Sequence, residues 1–127
     1  MRKISIAVYA LLCAGAILYG VVALLFPSMV VSEAAQSGHL THILREQGAS
    51  AIFVGLMAFW CIFHYEQRRV VHYFLTLFAL LLAGIHWFDY LNGHKPLMSG
   101  LVNSVPFLVM AALALSLPRS DKLVGSV

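Results

Sequence analysis

Four long apolar runs, each closed by polar or helix-breaking residues, organise the chain. The first covers residues 4–26 and stops at Pro27-Ser28, and a polar stretch of small residues follows (Ser32-Glu33-Ala34-Ala35-Gln36-Ser37-Gly38). The second covers residues 41–63 and gives way to the charged segment His64-Tyr65-Glu66-Gln67-Arg68-Arg69. The third covers residues 70–91 and ends at Asn92-Gly93-His94-Lys95-Pro96, whose breaker residues predict a tight loop. The fourth covers residues 97–117 and is closed by Pro118-Arg119. Each run is near the roughly 20 residues that a helix needs to cross a hydrocarbon core. In lipid every backbone donor needs a partner within its own segment, and barrel strands would alternate in polarity and be about half as long, so the runs predict helices. The pattern predicts an all-α integral membrane four-helix bundle, a single domain over residues 1–127. Pro106 lies inside the fourth run and predicts a kink or local adjustment there.

Composition sharpens this picture. Hydrophobic residues make up 61% of the 127 positions and charged residues 10%, with a mean hydropathy of +0.90. Soluble domains are nearer half apolar and a quarter charged, and disordered chains are polar and charge-rich; both classes are excluded. The net charge of +3 does not indicate a nucleic-acid partner, because Lys and Arg punctuate the ends of the apolar runs instead of clustering on one face. They read instead as topology signals. Arg2, Lys3, Arg68, Arg69, Arg119 and Lys122 fall on one side, Arg45 and Lys95 on the other. The positive-inside rule therefore predicts both termini in the cytoplasm, and loops after the first and third spans facing outward, which in a bacterium is the periplasm. Arg2-Lys3 ahead of an apolar run suggests a signal peptide, and Ser32-Glu33-Ala34 loosely resembles a cleavage site. The run is too long for a signal h-region of roughly 7–15 residues, so a retained helix is expected. Cys13 and Cys61 each lie inside an apolar run with no second cysteine nearby, which predicts buried thiols and no zinc or dithiol site.

Helices associate in lipid by close packing of small side chains, and each run carries such a stripe at helical spacing. The stripes are Tyr9, Cys13, Ala16, Gly20, Ala23 and Pro27; Gly48, Ala51, Gly55 and Ala58; His72, Thr76, Ala79, Ala83, His86 and Tyr90; and Asn103, Phe107, Met110 and Ala114. The opposite faces are richer in Leu, Val, Ile and Phe, as lipid-facing surfaces are.

Ionisable groups inside spans are costly and default to a functional reading. His42, Arg45 and Glu46 occupy the first turns of the second span, His86, Asp89 and Tyr90 the last turns of the third, and Asn103 and Ser104 the early turns of the fourth. Under the topology above they share one depth, so the expectation is an outward-facing pocket lined by Arg45, Glu46, His86, Asp89, Asn103 and His42. Arg45 presents a planar, permanently charged fork suited to an anionic group, or to an internal salt bridge with Glu46 or Asp89. His86 and Asp89, three apart on one face, form an acid/base pairing in which the carboxylate fixes the tautomer, or simply satisfy one another. Trp87 and Tyr90 suit an interfacial aromatic belt. The segment from His64 to Arg69 reads as a solvated inner turn that also attracts anionic lipid. His42 with His86, or His64 with His72, invite a haem reading, and His39, His42, His86 and Asp89 a metal reading. The His pairs lie at span ends with no haem attachment motif, and the metal set lacks tight ligand spacing, so no metal site is assigned and no cofactor is named. Phosphate-cradling glycine loops, nucleophile elbows and His-Glu-x-x-His motifs are absent.

Arg45-x-x-Gly48 at the head of the second span, followed by Gly55 in an apolar run, resembles the DoxX-like small four-helix bacterial membrane proteins and related domains of unknown function. The resemblance covers most of the chain in outline. It implies an inner-membrane helical bundle; some relatives are linked to quinone-coupled sulfur oxidation or redox-stress complexes, and no catalytic residue is carried over. A second likeness is to small sterol-isomerase-type bundles, whose acidic residues this chain does not match. The expected function is an accessory subunit or lipid/quinone-binding bundle with an outward-facing polar pocket. Its partners would be the lipid bilayer, a lipid or quinone ligand, and a protein partner or second copy, with no nucleic acid. The alternative is a small intramembrane enzyme doing acid/base chemistry on a lipophilic substrate.

Overall fold

The computed structural model describes residues 2–31, 38–115 and 117. The described chain is helical: α1 (Arg2–Leu25), a 3₁₀ turn (Pro27–Met29), α2 (Gly38–Phe63), α3 (Arg69–Leu91) and α4 (Leu97–Ala114). These bounds follow the apolar runs closely, because hydropathy and backbone satisfaction select the same residues. All four helices are long and apolar enough to cross a membrane. The shortest, α4 with 18 residues, spans about 27 Å at about 1.5 Å per residue. The polar stretch from Ser32 to Ser37, and the closing charges Arg119 and Lys122 with Pro118, lie outside the described residues.

Each helix end has a local cause. Pro27 cannot extend the hydrogen-bond ladder of α1, and the chain turns there: Met29 N–H donates to the Phe26 carbonyl (2.9 Å) and Val30 N–H to that of Pro27 (3.1 Å). At the end of α3, Gly93 takes φ +74°, Gly93 N–H donates to the Tyr90 carbonyl (3.0 Å) and His94 N–H to that of Asp89 (2.8 Å). This is a Schellman closure, which places glycine where a Cβ would be strained. Asn92 adds a side-chain bond from Nδ2 to the Phe88 carbonyl (2.8 Å). Pro96 then caps α4 in an extended conformation. The tight loop expected over 92–96 is the one observed. Helix α4 runs unbroken through Pro106.

The chain divides into two units: Ile6–Phe63, and Met1–Ser5 with the chain from His64 onward. In the first, α1 and α2 meet at glycine. A Cβ at Gly20 would lie 2.6 Å from the Gly48 carbonyl oxygen, one at Gly48 2.8 Å from that of Gly20, and one at Gly55 2.6 Å from the Ile17 side chain and 3.2 Å from the Cys13 carbonyl oxygen. The two backbones approach this closely because those positions carry no side chain. Leu44, Gly48, Gly55, Ala58 and Cys61 are the buried positions of α2, so three of the four expected stripe residues are buried, and Ala51 is half-buried. Tyr19 Oη also donates to Gln47 Oε1 at 3.4 Å.

In the second unit α3 and α4 form an antiparallel hairpin. His72, Leu75, Ala79 and Ala83 are buried on α3, and Gly100, Met110 and Leu113 on α4. Leu75 takes the buried position expected of its neighbour Thr76, whose hydroxyl back-bonds to the His72 carbonyl at 2.8 Å. Gly100 lets the Trp87 indole lie flat on the helix: a Cβ there would be 3.1 Å from the ring.

Large apolar side chains face outward on all four helices. Leu11, Leu18, Phe53, Phe74, Leu81, Phe88 and Leu108 are each at least 60% exposed. No more than 22% of the most apolar stretch of any helix is buried within the chain.

Candidate functional site

The six expected pocket residues divide between the two units. His42, Arg45 and Glu46 are on α2 in the first; His86 and Asp89 on α3 and Asn103 on α4 are in the second.

On α2, the i, i+4 spacing brings His42 Nε2 to 3.2 Å from Glu46 Oε1, with both side chains largely exposed. Arg45 is exposed and has no carboxylate partner among the described residues. The expected pairing of Arg45 with Glu46 is therefore corrected. The two are adjacent in sequence and point about 100° apart on a helix, so Glu46 meets the residue one turn away instead.

On the α3–α4 hairpin two polar pairs bond across the helix pair, and two further side chains bond back to carbonyls of α4 itself. His86 Nδ1 and Ser99 Oγ share a hydrogen bond of 3.0 Å. Trp87 Nε1 donates to Ser104 Oγ at 2.9 Å. Ser104 Oγ donates to the Gly100 carbonyl and Asn103 Nδ2 to the Ser99 carbonyl, both at 2.8 Å. The expected His86–Asp89 pairing is replaced by His86–Ser99, because Ser99, in the first turn of α4, is within reach of the imidazole. Trp87 is likewise a packing residue of the helix pair, seated on Gly100 and tethered to Ser104, and forms an edge contact with Tyr90 (centroids 5.8 Å apart). Asp89 and Asn103 are half-buried. The hairpin thus holds imidazole, hydroxyl and amide groups together near its loop. They can hold or exchange a proton, or donate to a carbonyl oxygen.

The segment 64–69 departs most from expectation. It is a turn with His64, Glu66, Gln67 and Arg69 exposed, but two of its side chains are withdrawn from solvent. Tyr65 is 9% exposed and Arg68 fully buried. The Arg68 guanidinium lies 3.4 Å from the centre of the Tyr65 ring, and its Nη1 donates to the Tyr65 carbonyl at 2.7 Å. Arg2 comes to 5.2 Å from the same ring, and Arg69 lies 5.8 Å from the centre of the Tyr73 ring. One turn into α3, His72 is fully buried with Met110 as a backbone hydrogen-bond partner. The available signal was the interleaving of aromatic and basic residues in Tyr65, Arg68, Arg69 and Tyr73; charge alone suggests solvation and conceals it.

Among the described residues no group of three or more His, Cys, Asp or Glu is gathered as a metal site would require. Compared with known proteins, the chain matches no family model, no curated protein and no solved structure.

Proposed function

We propose that this chain is a multi-pass integral membrane protein of the bacterial inner membrane, with both termini cytoplasmic. It acts as an accessory subunit or as a lipid- or quinone-binding protein, not as a self-sufficient enzyme. The observation that carries this reading is the exposure of large apolar side chains on all four helices; a surface of that kind needs hydrocarbon around it. The resemblance to DoxX-like proteins at Arg45, Gly48 and Gly55 is in keeping with it. On the α3–α4 hairpin His86 is held by Ser99 and Trp87 by Ser104, and Asn103 is tied to the Ser99 carbonyl, which suits a fixed hydrogen-bonding surface for a ligand headgroup. Purification into nanodiscs of native lipid, followed by mass spectrometry of the extract, tests the reading. One lipid or quinone should be enriched over the surrounding membrane, and the double variant H86A/S99A should lose that enrichment. Bulk membrane composition around the wild-type protein would overturn the binding role.

A second reading, acid/base chemistry on a lipophilic substrate, is favoured by one observation: the His86–Ser99 hydrogen bond couples an imidazole to a hydroxyl. In the same extracts, a conversion product that accumulates with wild type and not with H86A would select it over binding alone.

A further inference from the structure

The turn between α2 and α3 gathers positive charge around aromatic rings, at the end of α3 remote from the His86–Ser99 hairpin. Arg2, Lys3, Arg68 and Arg69 supply four cationic groups within Met1–Ser5 and the first residues after Phe63, all in one unit. Two guanidinium groups, Arg68 at 3.4 Å and Arg2 at 5.2 Å, converge on the single ring of Tyr65. The ring's negative face offsets part of that repulsion. Arg68 is buried and its Nη1 is bonded to the Tyr65 carbonyl, so it is part of the frame. Arg2, Lys3 and Arg69 are exposed. Glu66 is the one acidic residue between Phe63 and Leu75, and among the described residues it forms no ion pair with Arg2 or Arg69. The turn therefore presents excess positive charge, held in place by a buried Arg–Tyr contact, at the end of helices whose flanks are apolar.

We propose that Arg2, beside the Tyr65–Arg68 contact, and Arg69, beside the Tyr73 ring, together with Lys3 form a binding site for the phosphate headgroup of an anionic phospholipid. The chemistry is that of a phosphodiester: arginine forks match its oxygens with paired N–H donors. The acyl chains are met by the exposed apolar side chains that begin at Ile4 on α1 and at Val70 and Phe74 on α3. A free phosphate would use the same donors but leave those side chains unused, so a lipid is the occupant. The proposal rests on the membrane reading given above and adds a position and a headgroup class to it.

The test uses the full chain and the variant R2Q/R69Q, which leaves the buried Arg68 in place. Both are incorporated into vesicles of phosphatidylcholine alone, and separately titrated in mild detergent with phosphatidylglycerol, phosphatidylcholine or inorganic phosphate while thermal unfolding is followed. Wild type is expected to respond to phosphatidylglycerol at concentrations about tenfold lower than to phosphatidylcholine, and R2Q/R69Q to lose most of that preference. An equal response to both lipids, a preference retained in R2Q/R69Q, or full reproduction of the shift by inorganic phosphate each overturns the headgroup site. The vesicle arm separates that failure from failure of the membrane reading. A chain that resists alkaline extraction from phosphatidylcholine vesicles yet shows no headgroup preference refutes the site alone; one that is extracted refutes both.

Discussion

Arg68 is where single-residue chemistry matters most. Burying an arginine is costly unless its charge is delocalised and its donors are used. Here the planar group stacks on Tyr65 and bonds that residue's carbonyl within a turn of three residues. Neither a neutral amide nor an ammonium reproduces both contacts. R68Q should therefore lower stability by about 2 kcal/mol, combining a charge-assisted hydrogen bond with a desolvated cation–π contact. R68K should recover only part of it, since lysine lacks the flat fork. Reversible unfolding in detergent checks both; an R68Q protein as stable as wild type would remove the Tyr65–Arg68 contact from the list of structural determinants. In sequence this residue looked like a topology signal in a solvated turn, because charge is a local property and burial is not. The same limit applies to His86, whose partner Ser99 lies across a loop, and to Glu46, whose helical neighbour His42 won over the adjacent Arg45.

At the scale of the helices, the sequence was far more informative. The expected span over 70–91 and the observed Arg69–Leu91 differ by one residue, and Gly93 with Pro96 marked the loop between α3 and α4. Hydropathy and the backbone's need for internal hydrogen bonds act on every residue of a span, so the signal accumulates along its length. The small-residue stripes were legible for the same reason, and their consequences differ by position. Gly48 faces backbone: an added Cβ would sit 2.8 Å from the Gly20 carbonyl oxygen and 3.0 Å from the Leu24 nitrogen, neither of which can move aside without displacing a helix. Gly15 is exposed, with nothing within 4 Å of an added Cβ. G48A should thus destabilise the α1–α2 pair by about 1–3 kcal/mol, the range for overpacking. G15A should be neutral or stabilising by about 0.5 kcal/mol through helix propensity. Melting of the two variants side by side in one detergent checks the contrast; equal effects would mean that helix propensity, not close approach, governs these glycines.

For the molecule as a whole, the asymmetry of its charges becomes a statement about orientation. Arg2 and Lys3 open α1, and Arg68 and Arg69 stand between α2 and α3, so that these four cations flank the helix ends that would meet one face of a bilayer; Lys95, in the loop between α3 and α4, lies at the opposite end of α3. Moving lysine and arginine across a membrane during insertion is opposed, which biases such residues to the cytoplasmic side. Four spans would return the chain to the side on which it began. A reporter active only outside the cytoplasm should be functional when fused after His94, and silent when fused after Val127; a reporter active only in the cytoplasm should give the reverse. Substituting Arg68 and Arg69 would confound this test by disturbing the buried Arg68, so the charge dependence is better probed by R2Q/R69Q, which should leave the fusion pattern intact or partly mixed according to how much of the bias those two residues carry. Both fusion points falling on the same side would mean that an even number of helices crosses between them, so that α4 does not span; both reporters working at one fusion point in the wild-type chain would mean that the chain inserts in two orientations. Either outcome would contradict the orientation drawn from the charges while leaving the helices themselves untouched.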